Sequence, residues 1–277
     1  MSYTIAITGK GGVGKTTIAG LLVSRLIASG RRPVLAVDAD PNTCLDTALG
    51  VKVRQTIGGV REEARQIAGQ GMSAGISKQQ LLELKIAESL VEAPDFDFLA
   101  MGRPEGPGCY CYANNVLKAA LGQIAHEYPW VVIDNEAGLE NLSRRLAPKV
   151  DLLLLVADPS RRGLETLRRL HALTKEMAVE YGRLVLVVNR VRREPPADLP
   201  TLQAETGAAD VLALPEDAAV ADLAERGGAV TELPADDALV RKVDSFLSFL
   251  PPPNRIESTP ADSSRATSRP PGATHAP

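Results

Sequence analysis

Cysteine is scarce in this chain. Three thiols among 277 residues are too few for a disulfide framework, which excludes the small stapled folds of secreted domains and leaves reduced thiols as the expectation. A strong excess of one charge is also lacking. Lysine and arginine number 31 against 34 acidic residues, a net of −3, so nothing suggests a polyanion-binding surface and no nucleic-acid partner is expected. No apolar run approaches the roughly 20 residues that cross a bilayer, so no membrane partner is expected either. The apolar run that begins at Tyr3 leaves no room for a signal peptide ahead of it. Together these absences point to a cytoplasmic protein. At the other end, residues 251–277 hold seven prolines and one aliphatic side chain larger than alanine, Ile256. Such a segment cannot bury enough apolar surface to offset its ordering entropy, and it is expected to be a disordered tail. Residues 1–250 suffice for one large α/β domain.

What is present is glycine in a particular order. Gly9-Lys10-Gly11-Gly12-Val13-Gly14-Lys15-Thr16-Thr17 follows the apolar run Tyr3–Thr8 and precedes a helical pattern. This is the G-x-x-x-x-G-K-[ST] phosphate loop between a strand and a helix. Its glycines let the backbone wrap a polyphosphate, with N–H groups and the helix N-terminus facing the anionic oxygens. Lys15 is expected to reach the β- and γ-phosphates, and the Thr16 hydroxyl to complete a Mg²⁺ shell.

Downstream, Ile18, Leu21, Leu22, Leu26 and Ile27 recur at helical spacing until Gly30. Pro33–Val37 is a strand apolar throughout, as in a sheet covered on both faces, and Asp40 lies just past its C-terminal end, where open α/β sheets place their chemistry. A turn or helix cap is the alternative for Asp40. Residues 53–95 carry two helical patterns, with Ile57, Val60, Ala64 and Ile67 in one and Leu81, Leu82, Leu84, Ile86, Leu90 and Val91 in the other. They look like a lid or a dimer-facing insertion. Strands follow at 96–102, 130–134, 152–158, 184–189 and 211–215, with helices around Val116–Ile124 and Gly163–Ala178. Asp134 ends its strand where an aspartate holds Mg²⁺ after a phosphate loop. A final amphipathic helix carries Leu239, Val240, Val243, Phe246, Leu247 and Leu250; its polar face lacks the Lys and Arg of an interfacial helix, so packing onto the sheet is expected. The fold class expected is a mostly parallel central sheet with helices on both faces, a P-loop NTPase.

The extra lysine at position 10 makes the loop resemble the deviant Walker A branch, which includes MinD, ParA and the nitrogenase iron protein. The resemblance implies an ATPase whose Lys10 crosses a homodimer to the partner's phosphates. It also implies that Asp40 orients the hydrolytic water, that the Gly138 N–H senses the γ-phosphate, and that Asn189 and Pro215 contact adenine, although Asn189 as a turn residue is equally open.

Cys109-Tyr110-Cys111 is a second site with chemical content. Two thiols two residues apart can share one soft metal ion but make half a tetrahedral site, and a face-to-face dimer would supply four sulfurs for Zn²⁺, Ni²⁺ or an iron–sulfur cluster. Met101–Asn115, together with Asp40–Leu45 and Ala137–Glu140, resembles CooC-type ATPases, the maturation factors of nickel-containing carbon monoxide dehydrogenase. That resemblance implies a metallochaperone with a nickel enzyme as client. Asn141 departs from the histidine of relatives, and Cys44 is expected to be a small buried residue. The alternatives are an ATP-gated iron–sulfur electron donor, like the nitrogenase iron protein, and a ParA- or MinD-type positioning ATPase.

Overall fold

The computed structural model describes residues 2–59, 84, 86–103, 110–139 and 150–250, with backbone alone for 110–113. Val60, Ala64, Ile67, Leu81, Leu82, Cys109, Glu140, Asn141 and the 251–277 tail lie outside the described residues.

Among the described residues, eight strands form one sheet in the order β3-β4-β2-β5-β1-β6-β7-β8. They are β1 (Tyr3–Gly9), β2 (Val34–Ala39), β3 (Val91–Glu92), β4 (Phe96–Ala100), β5 (Trp130–Asn135), β6 (Val150–Ala157), β7 (Tyr181–Val191) and β8 (Asp210–Pro215). The pairings among β2, β4, β5, β1, β6, β7 and β8 are parallel. Among the described strands only the two-residue β3 runs antiparallel, at the edge against β4. The expected fold class is therefore the observed one.

Both sheet faces are covered, which is why the central strands read as continuous apolar runs. Alternate residues divide between the faces. Ile5, Ile7, Val132, Leu152 and Leu154 pack beneath α1 (Lys15–Ala28) and the C-terminal helix Ala238–Ser248. On the opposite face Leu35, Val37, Val131 and Ile133 pack with Leu117 and Leu121 of the helix Tyr110–Ile124. Leu153, Leu155 and Leu186 meet Leu164 and Leu167 of the helix Arg161–Glu176.

The C-terminal helix packs as its pattern predicts. Leu239, Val240, Val243, Phe246 and Leu247 are buried, and Arg25 of α1 clamps Asp244 through two hydrogen bonds of 2.7 and 3.0 Å. At about 1.5–3 kcal/mol per buried side chain, turning that face outward would cost on the order of 10 kcal/mol. The helix belongs to the core.

Topology decides which strand ends meet. β5 lies between β1 and β2, so Ile7, Asp134 and Asp38 fall in one row across the sheet. The phosphate loop leaves the end of β1 beside them.

Candidate active site

The loop between β1 and α1 is shaped by two glycines in left-handed backbone, Gly12 at φ 79° and Gly14 at φ 94°. Gly14 is constrained twice, because a Cβ there would run into the Asn189 side-chain amide. That amide donates to the Val13 carbonyl at 2.9 Å, and the Asn189 Oδ1 accepts the Arg190 N–H at 3.0 Å. Asn189, expected at an adenine ring, braces the back of the phosphate loop. Sequence reasoning had no signal for this, since β7 is distant in the chain.

α1 begins without a side-chain cap and without an acidic residue in its first turn. The N–H groups at that end are not neutralised from within the helix, which is the arrangement that accepts a phosphate. Lys10, Gly11 and Gly12 are exposed, whereas Lys15 is buried, with its ammonium donating to the Lys10 carbonyl at 3.3 Å. The donor set fits a nucleotide polyphosphate.

Asp134 is 1% exposed and takes the Thr16 hydroxyl on Oδ2 at 2.6 Å. Its Oδ1 has no hydrogen-bond partner among the described residues. Burial pushes its carboxyl up to about 7; the Thr16 hydrogen bond and Lys15 oppose that rise, and Asp38 and Asp40 add to it. A buried, unpartnered carboxylate oxygen beside a hydroxyl fits a divalent cation, whose hard oxygen ligands these are. Thr16 and Asp134 would hold Mg²⁺, which supplies charge neutralisation on the phosphates when bound.

Switch I, residues 40–45, folds against this pair. Asp40 is half-buried, and its Oδ1 accepts the Asn42 N–H at 2.8 Å and the Asn42 side-chain amide at 3.0 Å, an Asx turn. Asp38, to which sequence reasoning assigned no role, is fully buried and accepts N–H groups from Asp40, Cys44 and Leu45 at 2.8–2.9 Å. Desolvation raises its carboxyl above the ordinary range against those three hydrogen bonds. The expected burial of Cys44 is corrected. Its N–H is drawn inward by Asp38, and the residue sits exposed ahead of the short helix Leu45–Leu49. Partial desolvation and the carboxylates of Asp38, Asp40, Asp46 and Asp134 push its thiol up, which disfavours the thiolate that a metal needs.

The strand β4 exit is fastened to the end of β2 and to switch I. The Met101 N–H donates to the Asp38 carbonyl at 2.8 Å, and the Arg103 guanidinium donates to the Asn42 Oδ1 at 2.5 Å. From Arg103 the chain runs on toward Cys111, in the first turn of the helix Tyr110–Ile124. Cys109 lies outside the described residues, and no metal-holding group of three or more His, Cys, Asp or Glu occurs among the described ones.

Gly138 stands across from the loop, its N–H donating to the Gly9 carbonyl at 3.2 Å and its carbonyl accepting the Thr8 hydroxyl. Its N–H, expected to face a γ-phosphate, is engaged with the base of the loop. Pro215 is half-buried at the end of β8, in register with Val191, and the following Asp217 caps the helix Ala218–Arg226 by accepting the Val220 N–H. Lys10, Lys15, Thr16, Asp134, Asp38 and Asp40 thus converge at the C-terminal ends of β1, β5 and β2. Asn189 reaches the same loop from behind.

Comparison with known proteins agrees with this geometry. The family model for an AAA domain, AAA_31, matches residues 2–184. An uncharacterized ATP-binding protein of Methanocaldococcus jannaschii is 39% identical over 243 residues, 87% of this chain and 96% of that protein. The carbon monoxide dehydrogenase accessory protein CooC of Rhodospirillum rubrum is 33% identical over 187 residues, 64% of this chain and 70% of its own length. Among solved structures, the septum site-determining protein MinD of Pyrococcus horikoshii, complexed with Mg-ADP, gives a TM-score of 0.64 at 20% identity, covering 90% of this chain and 97% of that one. At that identity the likeness speaks to the fold.

Proposed function

This chain belongs to the AAA_31 family of P-loop ATPases, with a MinD/ParA-like fold and ATP hydrolysis as its activity, and from that premise we propose that it is a dimerising metallochaperone. ATP with Mg²⁺ closes two chains face to face, with Lys10 of each reaching the other's phosphates. Asp40 orients the attacking water, and Lys15, Thr16 and Asp134 hold the phosphates and the cation. The cargo is a soft metal ion, Ni²⁺ or Zn²⁺, held between the Cys109 and Cys111 thiolates of both chains. The client is a nickel enzyme such as carbon monoxide dehydrogenase, and the setting is cytoplasmic.

One observation carries the metal reading: Arg103, in the segment that leads to Cys109-Tyr110-Cys111, is tied to switch I by its hydrogen bond to Asn42. A change at the nucleotide that moves switch I would thereby act on Arg103, six residues ahead of Cys109. The similarity to CooC of Rhodospirillum rubrum supports the same reading. Because metal and nucleotide favour the same closed state, each must tighten the binding of the other.

The test is titration of Ni²⁺ and Zn²⁺ into wild type and a Cys109→Ala/Cys111→Ala variant, with and without a non-hydrolysable ATP analogue. Tight binding should require the cysteines and should strengthen with nucleotide. Equal affinity in all four conditions would remove the metal reading and leave the ATPase intact.

A further inference from the structure

We infer that Asp38 is a positioning residue for ATP hydrolysis, setting through its carboxylate the conformation of the segment that carries Asp40. The inference rests on the reading of this site as the ATPase site, and not on the metal reading. Its basis is where the three hydrogen bonds go. Oδ1 accepts the N–H of Asp40 itself at 2.9 Å, and Oδ2 accepts those of Cys44 at 2.8 Å and Leu45 at 2.9 Å. One side chain therefore holds both ends of the 40–45 segment.

Such a carboxylate is costly to keep. Asp38 is 0% exposed and stands in register with Asp134, a second buried carboxylate on the adjacent strand. Sheet neighbours in register project to the same face, so the two acids face a common space. An apolar residue would suit the burial better. What the carboxylate supplies in return is order in a single short segment, because all three donors belong to it.

The anchor is itself fixed. Asp38 is the fifth residue of β2, paired with Ala100 on one side and Asp134 on the other, and its carbonyl takes the Met101 N–H at 2.8 Å. Between the two ends of the segment, Thr43 adopts left-handed backbone at φ 48°, a conformation a free loop of non-glycine residues seldom keeps. Asp40 spends its Oδ1 on Asn42, so its backbone placement, which Asp38 sets, fixes the direction in which its other oxygen points. Asp38 acts through Asp40.

The test uses the full chain and Asp38→Asn, which is isosteric but turns one of the two acceptors into a donor. The variant should lose at least about tenfold in kcat, the range expected when a hydrogen bond to a charged group is removed. Its Kd for Mg-ATP should stay within about threefold of wild type. Amide exchange at Asp40 or at Cys44 and Leu45 should accelerate, while the core of α1 keeps its protection. A purely structural role would instead weaken binding and core protection together. An active wild type matched in kcat by Asp38→Asn overturns the proposal alone, whereas a wild type that hydrolyses no ATP overturns the site reading with it. Should the variant fail to fold, exchange in the wild type decides: protected amides at Cys44 and Leu45 support the anchor, and exchange at open-loop rates refutes it.

Discussion

Replacing Asp134 by asparagine should stabilise the nucleotide-free protein while abolishing Mg²⁺-dependent hydrolysis. The carboxyl is 1% exposed, lacks a partner on Oδ1 among the described residues, and is carried from 3.8 to about 7 chiefly by burial. That displacement corresponds to about 4 kcal/mol against the ionised form. The sign follows from linkage. Between the unfolded and folded values the native state binds the proton more tightly, so stability falls as pH rises through that window. The penalty is complete above about pH 7 and is lost as pH falls toward 3.8. Asparagine keeps the volume and the contact with Thr16 but carries no charge. In EDTA at pH 8, Asp134→Asn should therefore unfold about 3–4 kcal/mol later in denaturant titrations, with an unchanged m-value. The gap should close by about 1.4 kcal/mol per pH unit between pH 6 and 4. Added Mg²⁺ should stabilise wild type and leave the variant unmoved. A variant less stable than wild type at pH 8, or a gap that ignores pH, would refute the reasoning.

Three further outcomes follow from the geometry. Gly14→Ala combines φ 94° with a Cβ driven into the Asn189 amide, so ATP binding measured by calorimetry should disappear while the circular dichroism of the sheet survives. Lys10→Ala removes an exposed side chain and should leave stability within about 0.5 kcal/mol of wild type; sedimentation with an ATP analogue should then show a monomer, and a dimer equal to that of wild type would deny Lys10 its role. Asp244→Ala breaks the paired hydrogen bonds to Arg25 at 2.7 and 3.0 Å. Because both side chains are partly exposed, 20% and 38%, the cost should be about 1 kcal/mol, seen as a melting temperature lower by about 2–4 °C and without effect on hydrolysis.

How much was legible in advance depended on the range of the interaction. Local signals carried well: apolar runs mark the strands, helical spacing marks α1 and the C-terminal helix, and a lysine-bearing glycine loop after a strand marks a phosphate site. Burial of a stripe is a property of the stripe, so the C-terminal helix could be assigned to the core from its own residues. Cys44 could not. Its apolar, small side chain suggests burial, but the direction of its Cα–Cβ bond is set by a hydrogen bond from its N–H to Asp38, six residues away. The bond by which Asn189 braces the phosphate loop was not legible for the same kind of reason, since its partner Val13 is 176 residues distant.

The sequence alone therefore determined the class of fold, the phosphate-loop motif of residues 9–17, and the strand-end positions of Asp40 and Asp134. These are encoded in periodicity and in the few residue types that tolerate tight phosphate-wrapping backbone. Only the tertiary structure decided that β5 separates β1 from β2, and so that Asp38, Asp134 and the phosphate loop share one end of the sheet. It alone showed the Asp38 carboxylate holding both ends of switch I, because strand order and the closure of a loop on a buried charge depend on contacts that no short stretch of sequence contains.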